Sequence, residues 1–155
     1  MVSHDSGRRT DRKPPFKFSA WTRVGFSDTD AQGIVYYGRY LPYFDTARVE
    51  YLRDLALLGA ERGTGHEFVM RACTIEYHAP AVFDDVIEVF VRLSRLGRTS
   101  ATFEFAAHRG RDDVLMVTAT QTLVLVDLAE RRPVPIPEHY RERAAAFEGA
   151  GLATT

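Results

Sequence analysis

The chain has 155 residues, 45% of them hydrophobic, with 20 Lys and Arg against 21 Asp and Glu and a formal net charge of −1. That is enough for one domain around one core, and the near-neutral balance excludes a general electrostatic case for nucleic acid or an anionic membrane as partner. The single cysteine, Cys73, has no internal disulfide partner, so a reducing, cytoplasmic setting is expected, with the thiol buried in a strand.

Residues 1–16 are polar, carry Arg8, Arg9, Arg12 and Lys13 and end in Pro14-Pro15. Their composition reads as a disordered lead-in. They lack the apolar core of a signal peptide. No stretch of the chain approaches the ~20 apolar residues of a membrane span. Residues 17–147 are expected to fold, and 148–155 ("GAGLATT" with its leading Glu148) to form a loose tail.

The first folded element is a strand over Phe18–Ser27. A helix follows from about Arg39 to Leu58, where Tyr40, Leu41, Phe44, Ala47, Tyr51, Leu52, Leu55 and Leu58 recur mostly at spacings of three and four. Pro42 fits only its first turn, and Gly59 is a suitable stop. The broad apolar face places this helix deep in the fold.

Four strand-like runs come next, at about 67–78, 85–95, 98–110 and 114–126. In the second, Ile87, Val89, Val91 and Leu93 share a face. In the third, Ala101, Phe103 and Phe105 share one, with Thr102 and Glu104 opposite. Short turns at Asp84-Asp85, Gly97 and Gly110–Asp113 predict antiparallel pairing of neighbours in sequence. A short helix is expected at Pro137–Phe147. Strand, long helix, then a run of antiparallel strands is an α+β pattern, with one sheet packed around one helix.

The stretch "FSDTDAQGIVYYGRY", Phe26–Tyr40, holds the chemistry. Its opening matches a calcium loop at positions one, three, five and six, but the twelfth position, which must be a bidentate glutamate, is Arg39. No metal site is read from it. As plain structure, Asp and Gly make caps and turns, which accounts for one aspartate but not for two acids beside an apolar, aromatic run. As a site, a carboxylate in a partly apolar pocket can attack or activate water. The unpaired N–H groups of a helix start, with roughly +0.5 of a charge, can hold a developing oxyanion. No GxSxG elbow points to a serine hydrolase.

The run "DTDAQGIVYYGRYLPYFDTARVEYLRDLAL" resembles the hotdog-fold thioesterases of the 4-hydroxybenzoyl-CoA thioesterase family, in particular the YbgC-like branch. "IEYHAPAVFDDVIEVFVRLSRLGRTSATFEF" and "RRPVPIPEHYRE" are similar to that family's later strands and ending. The resemblance covers about residues 18–143. It implies a hotdog sheet wrapped around the long helix, a homodimer or homotetramer, acyl-CoA as substrate and no resident cofactor. The carbon–sulfur bond of an acyl- or aryl-CoA is expected to be hydrolysed. An acyl-carrier-protein thioesterase and a non-catalytic acyl-CoA-binding protein are the alternatives.

Carried over by position, Asp30 matches the catalytic carboxylate, as nucleophile or general base. Gly33 matches the turn glycine, and the Tyr37 backbone N–H the oxyanion donor. Tyr36, Tyr40 and Phe44 are candidate walls for the acyl group. The branch often has histidine at position 37 and asparagine or serine at position 39, so Tyr37 and Arg39 depart from it. Arg39 is read as solvated, paired with Asp28 or Asp45, or meeting an acidic acyl tail. Arg95 and Arg98, with Arg131 and Arg132, are candidates for the coenzyme A phosphates. Arg48 is expected to pair with Asp45, and His78 to be a turn or interface residue.

Overall fold

The computed structural model describes residues 6–155. The strands are β1 (Gly7–Arg9), β2 (Phe18–Arg23), β3 (His66–Tyr77), β4 (Val86–Leu96), β5 (Ser100–Arg109), β6 (Leu115–Asp127), β7 (Arg132–Pro133) and β8 (Ala153–Thr154). The helices are α1 (Tyr40–Asp54) and α2 (Glu138–Glu148). One sheet runs β1-β2-β4-β5-β6-β3, with β7 on β6 and β8 parallel to β4.

The sheet wraps α1. Tyr40, Tyr43, Phe44, Ala47 and Tyr51 make one buried stripe along the helix, at the spacing that puts side chains on a single face. They meet the inward residues of the strands, including Phe18, Ile87, Val89, Val91, Leu93, Phe103 and Phe105. Phe44 stacks against Phe105 at 4.9 Å, and Tyr51 meets Phe18 and Phe103 edge-on. The α+β hotdog architecture is therefore the one expected, and the face assignments in β4 and β5 hold.

Four expectations are corrected. First, α1 stops at Asp54 rather than Leu58. Ala56 takes a left-handed φ of 56°, its N–H donates to Arg53 O (3.1 Å), and Leu57 N–H donates to Leu52 O (2.8 Å). That pair of bonds is a Schellman stop, with alanine where glycine is usual. Second, β3 does not pair with β4. It pairs along its length with β6, because residues 78–85 cross the end of the sheet. There Val82 bridges Ile34, and Ala81 O accepts from Val35 N–H (2.9 Å). β3 is thus the last strand of the sheet.

Third, residues from 6 onward in the expected lead-in are ordered; residues 1–5 lie outside the described residues. β1 pairs with β2. The arm that follows lies on the outer face of the sheet, where Phe16 packs on Phe90 (6.1 Å), Lys13 pairs with Asp113 (2.7 Å) and Arg12 pairs with buried Glu88. The basic residues that look solvated in the sequence have partners 76 and 100 positions away. Fourth, the tail is tied down: Ala153 and Thr154 pair with Arg95 and Leu96, and Glu148 is buried. Its carboxylate accepts from Tyr51 Oη (2.6 Å) and from Leu93 N–H (3.0 Å), beside the irregularity in the β4 ladder.

Candidate active site

The acidic loop is a tight hairpin. Thr29 bridges Val35, Asp30 N–H donates to Ile34 O (2.9 Å) and Gly33 N–H to Asp30 O (3.0 Å). A turn closed by a residue of positive φ is the usual three-residue hairpin loop. Gly33, at φ 79°, fills that position, where a side chain would be strained. Asp30 thus sits at the strand end just before the turn. Its Oδ1 accepts from Gln32 N–H (2.8 Å), which fixes the carboxylate without burying it fully.

The chain then returns to the start of α1 through a short 3-10 turn, Tyr37–Arg39. Tyr36 N–H donates to Asp28 O (2.9 Å), and Arg39 N–H donates to Tyr36 O (2.8 Å). In a trans peptide the N–H points opposite the carbonyl. With Tyr36 O turned into the helix start, the Tyr37 N–H points outward, away from the helix. As the first residue of the turn it has no acceptor within it.

Asp30, Gln32, Ile34, Val35, Tyr37 and Tyr40 form one side of a cavity of about 330 Å³, and Tyr77, His78, Ala79 and Pro80 the other. Tyr40 is 2% exposed, and burial pushes its hydroxyl above the ordinary phenol range. Tyr36 is outside the cavity lining but stacks on Tyr37 at 4.2 Å. His78 Nε2 lies 3.1 Å from Thr118 Oγ1. The half-buried Asp30 carboxylate therefore shares one concavity with Tyr37, whose N–H opens the turn before α1, and with the side chains of Tyr40 and Tyr77.

Asp28, the other acid of the pair, does not line it. The residue is 8% exposed, and its carboxylate accepts from Tyr43 Oη (2.8 Å), Gly25 N–H (2.9 Å), Arg39 Nε (3.0 Å) and Arg39 Nη2 (2.8 Å). Burial pushes its pKa up. The Tyr43, Gly25 and Arg39 donors outweigh that and hold it below the usual carboxylate range.

The structure brings Asp30, Gly33, Tyr37 and Tyr40 together and separates other candidates. Phe44 is fully buried against Phe105, so it is core rather than cavity wall. Arg39 is engaged by Asp28. Arg95 and Arg98 stand at the far end of β4, whose start is the end nearest Asp30. Arg95 is nine positions along the strand from Val86, roughly 30 Å. Arg132 lies in β7, which is paired to the far end of β6, and Arg131 stands just before it. Arg48 does pair with Asp45 (2.9 Å) and also donates to buried Gln121 (2.5 Å). Cys73, expected in the core, is exposed on β3. The larger groove of about 890 Å³ lies at the other end of α1, where Arg9 is taken by Asp54, and Lys17 and Arg143 by main-chain carbonyls.

Sequence reasoning missed Tyr77. Its Oη donates to Tyr37 O at 2.9 Å, across 40 residues, and the sequence holds no local signal for that contact. Tyr43 is likewise a member of the helix stripe by spacing, and only the fold shows its hydroxyl on Asp28.

The model of the thioesterase-like superfamily matches residues 24–144. An acyl-CoA thioesterase YbgC of Haemophilus influenzae is 36% identical over 135 residues, 84% of this chain and 93% of that protein. The Escherichia coli acyl-CoA thioester hydrolase YbgC (strain O157:H7) is 34% identical over 120 residues, 75% of this chain and 87% of that one. Among solved structures, a hypothetical protein of Aquifex aeolicus superposes with a TM-score of 0.74 at 33% identity, covering 81% of this chain and 98% of its own. With a hotdog sheet around a central helix and these relatives matched over most of their length, the chain belongs to the thioesterase-like superfamily.

Proposed function

We propose that the chain is a thioester hydrolase that cleaves an acyl- or aryl-CoA to the free acid and coenzyme A. The observation that carries this is the placing of Asp30, on its hairpin, and the outward Tyr37 N–H around one cavity. Relatives named as acyl-CoA thioesterases at 34% and 36% identity support it. The thioester carbonyl would sit between the two groups. Asp30 attacks its carbon or takes a proton from the attacking water, while the Tyr37 N–H holds the carbonyl oxygen as it becomes negative. The carbon–sulfur bond breaks, water oxygen ends in the acid, and the sulfur leaves as the coenzyme A thiol. This uses groups of the chain itself, with coenzyme A entering as part of the substrate.

Tyr37, Tyr40 and Tyr77 suit a flat or apolar acyl group. A homodimer through β3 belongs to the same proposal. β3 ends the sheet as a 12-residue strand, and Val69 and Met70 on it are 41% and 44% exposed. A long apolar edge left open is a template for pairing, and a copy seated there would lie beside Tyr77 at the cavity. The single cysteine as a free thiol supports a reducing, cytoplasmic setting.

The test is release of coenzyme A thiol from short, medium and long acyl-CoA and from benzoyl- and phenylacetyl-CoA, run beside Asp30→Asn. Turnover lost in the variant supports the proposal. An inactive wild-type chain on every ester overturns the acyl-CoA reading and makes acyl carrier protein thioesters the next substrates to try.

A further inference from the structure

Asp28 and Arg39 are joined twice, and the two joins form a closed ring. Asp28 O accepts from Tyr36 N–H, Tyr36 O accepts from Arg39 N–H, and the Arg39 guanidinium returns to Asp28 Oδ1 through Nε and Nη2. The ring passes through the Tyr36 carbonyl, which belongs to the same peptide as the Tyr37 N–H. Two further donors hold the ring in the protein: Tyr43 Oη, from the buried stripe of α1, and Gly25 N–H, both on Asp28 Oδ2. Asp28, the last residue of the short 3-10 turn Phe26–Asp28, is also two residues before Asp30, and Thr29 between them bridges Val35. One buried residue therefore reaches both halves of the site: the Asp28 main chain leads into the hairpin bearing Asp30 and accepts from Tyr36 N–H, and its carboxylate holds the Arg39 side chain of the turn bearing the Tyr37 N–H.

We propose that Asp28 and Arg39 are positioning residues: the ring they close sets the Tyr36–Tyr37 peptide against the Asp30 hairpin. The proposal rests on the thioesterase reading. Neither residue touches the thioester. A guanidinium bound through two nitrogens to one buried carboxylate holds a planar geometry that lysine cannot reproduce. A displacement of about 1 Å in a reacting group can cost roughly 10²-fold in rate, so a loose ring is felt in turnover. It also means that Arg39 is committed within the protein and does not receive an acidic acyl tail.

The experiment uses the full chain with Arg39→Met, Arg39→Lys, Asp28→Asn and Tyr43→Phe. Two readouts are taken: kcat and KM on butyryl- and succinyl-CoA, and amide hydrogen exchange of the segment 26–40. The expected result for Arg39→Met and Asp28→Asn is a kcat lower by about 10- to 100-fold with KM within about threefold. The loss is equal on the two esters, exchange of the segment is faster, and Arg39→Lys recovers only part of the rate. Tyr43→Phe leaves Asp28 and Arg39 in place and is the variant to rely on if Asp28→Asn does not fold. It should show the same pattern, more weakly.

Unchanged exchange in Arg39→Met and Tyr43→Phe overturns the anchor, whatever the wild type hydrolyses. Faster exchange with kcat within about twofold of wild type makes the ring merely structural and overturns the positioning role. A loss confined to succinyl-CoA makes Arg39 a substrate receptor and overturns the proposal. A wild-type chain silent on every thioester overturns the underlying reading and the catalytic half with it, while the exchange still decides the anchor.

Discussion

Tyr77, near the end of β3, donates its hydroxyl to the carbonyl of Tyr37 at 2.9 Å. The strand at the open edge of the sheet thus holds the first turn before α1. The bond fixes the peptide after Tyr37, as the Asp28–Arg39 ring fixes the one before it. Tyr77→Phe removes one neutral hydrogen bond at an exposed site, worth about 1 kcal/mol. If that bond steadies the turn, kcat should fall roughly fivefold, with the melting temperature lower by no more than about 2–4 °C. Steady-state assay beside a thermal melt separates the two effects.

Asp30→Asn should cost at least ~10²-fold in kcat, comparable to the loss of an oxyanion donor. Folding should be unaffected, because the amide oxygen can still accept from Gln32 N–H. A normal melt with turnover lost is the expected pair of results. Turnover equal to wild type would remove Asp30 from the chemistry.

Glu148 gives the fold a pH dependence of recognisable sign. Burial pushes its pKa above the ordinary glutamate value, more than the Tyr51 hydroxyl and Leu93 N–H pull it down. The folded state therefore holds the proton more tightly than the unfolded chain. Its stabilising contribution is complete below the unfolded value of about 4.3 and is lost as pH rises through the raised folded value. Asp28 works the other way, its contribution being lost as pH falls below about 3.9. In melts taken from about pH 4.5 upward, where Asp28 is silent, the stability of wild type relative to Glu148→Gln should decline with pH. A constant difference would show that Glu148 does not titrate differently in the two states.

Ala56 carries a left-handed backbone conformation in a Schellman stop. A non-glycine residue there costs roughly 1 kcal/mol. Ala56→Gly should therefore raise stability by up to about that amount, offset in part by the greater freedom of glycine in the unfolded chain. In a chain of this size that is about 2–4 °C in melting temperature.

Cys73 is exposed on β3, so its thiol reports on that edge. In a monomer it should react with an aromatic disulfide reagent at the rate of an accessible cysteine. If a copy pairs along β3, labelling should slow as protein concentration rises. Substituting Met70 with lysine, a residue that blunts sheet edges, should restore the fast rate and give a monomer by light scattering.

The parts of this molecule written in local periodicity were legible. Most of the α1 stripe (Tyr40, Phe44, Ala47 and Tyr51, without Tyr43) and the inward rows Ile87–Leu93 and Ala101–Phe105 follow from spacing alone, because burying one face forces that spacing. Gly33 was legible as a turn residue through the family motif it matches, and the structure adds that the turn is a hairpin with Gly33 at positive φ. Long-range pairings were not legible. Arg12 with Glu88, Tyr77 with Tyr37 and Glu148 with Tyr51 join positions 40 or more residues apart, and each partner alone looks like an ordinary surface or core residue. The early stop of α1 was hidden because alanine is a good helix former, and nothing in its identity announces a left-handed turn.

The arm on the outer face of the sheet bears on how copies can stack. Phe16 and the Arg12 and Lys13 side chains already cover Phe90 and Glu88. A second molecule arriving on that strip would compete with the chain's own residues 10–17. To win it would have to supply a cation for Glu88, since a carboxylate stripped of its partner in a buried site is costly. Any face-to-face layer of copies must therefore either fit around the arm or evict it.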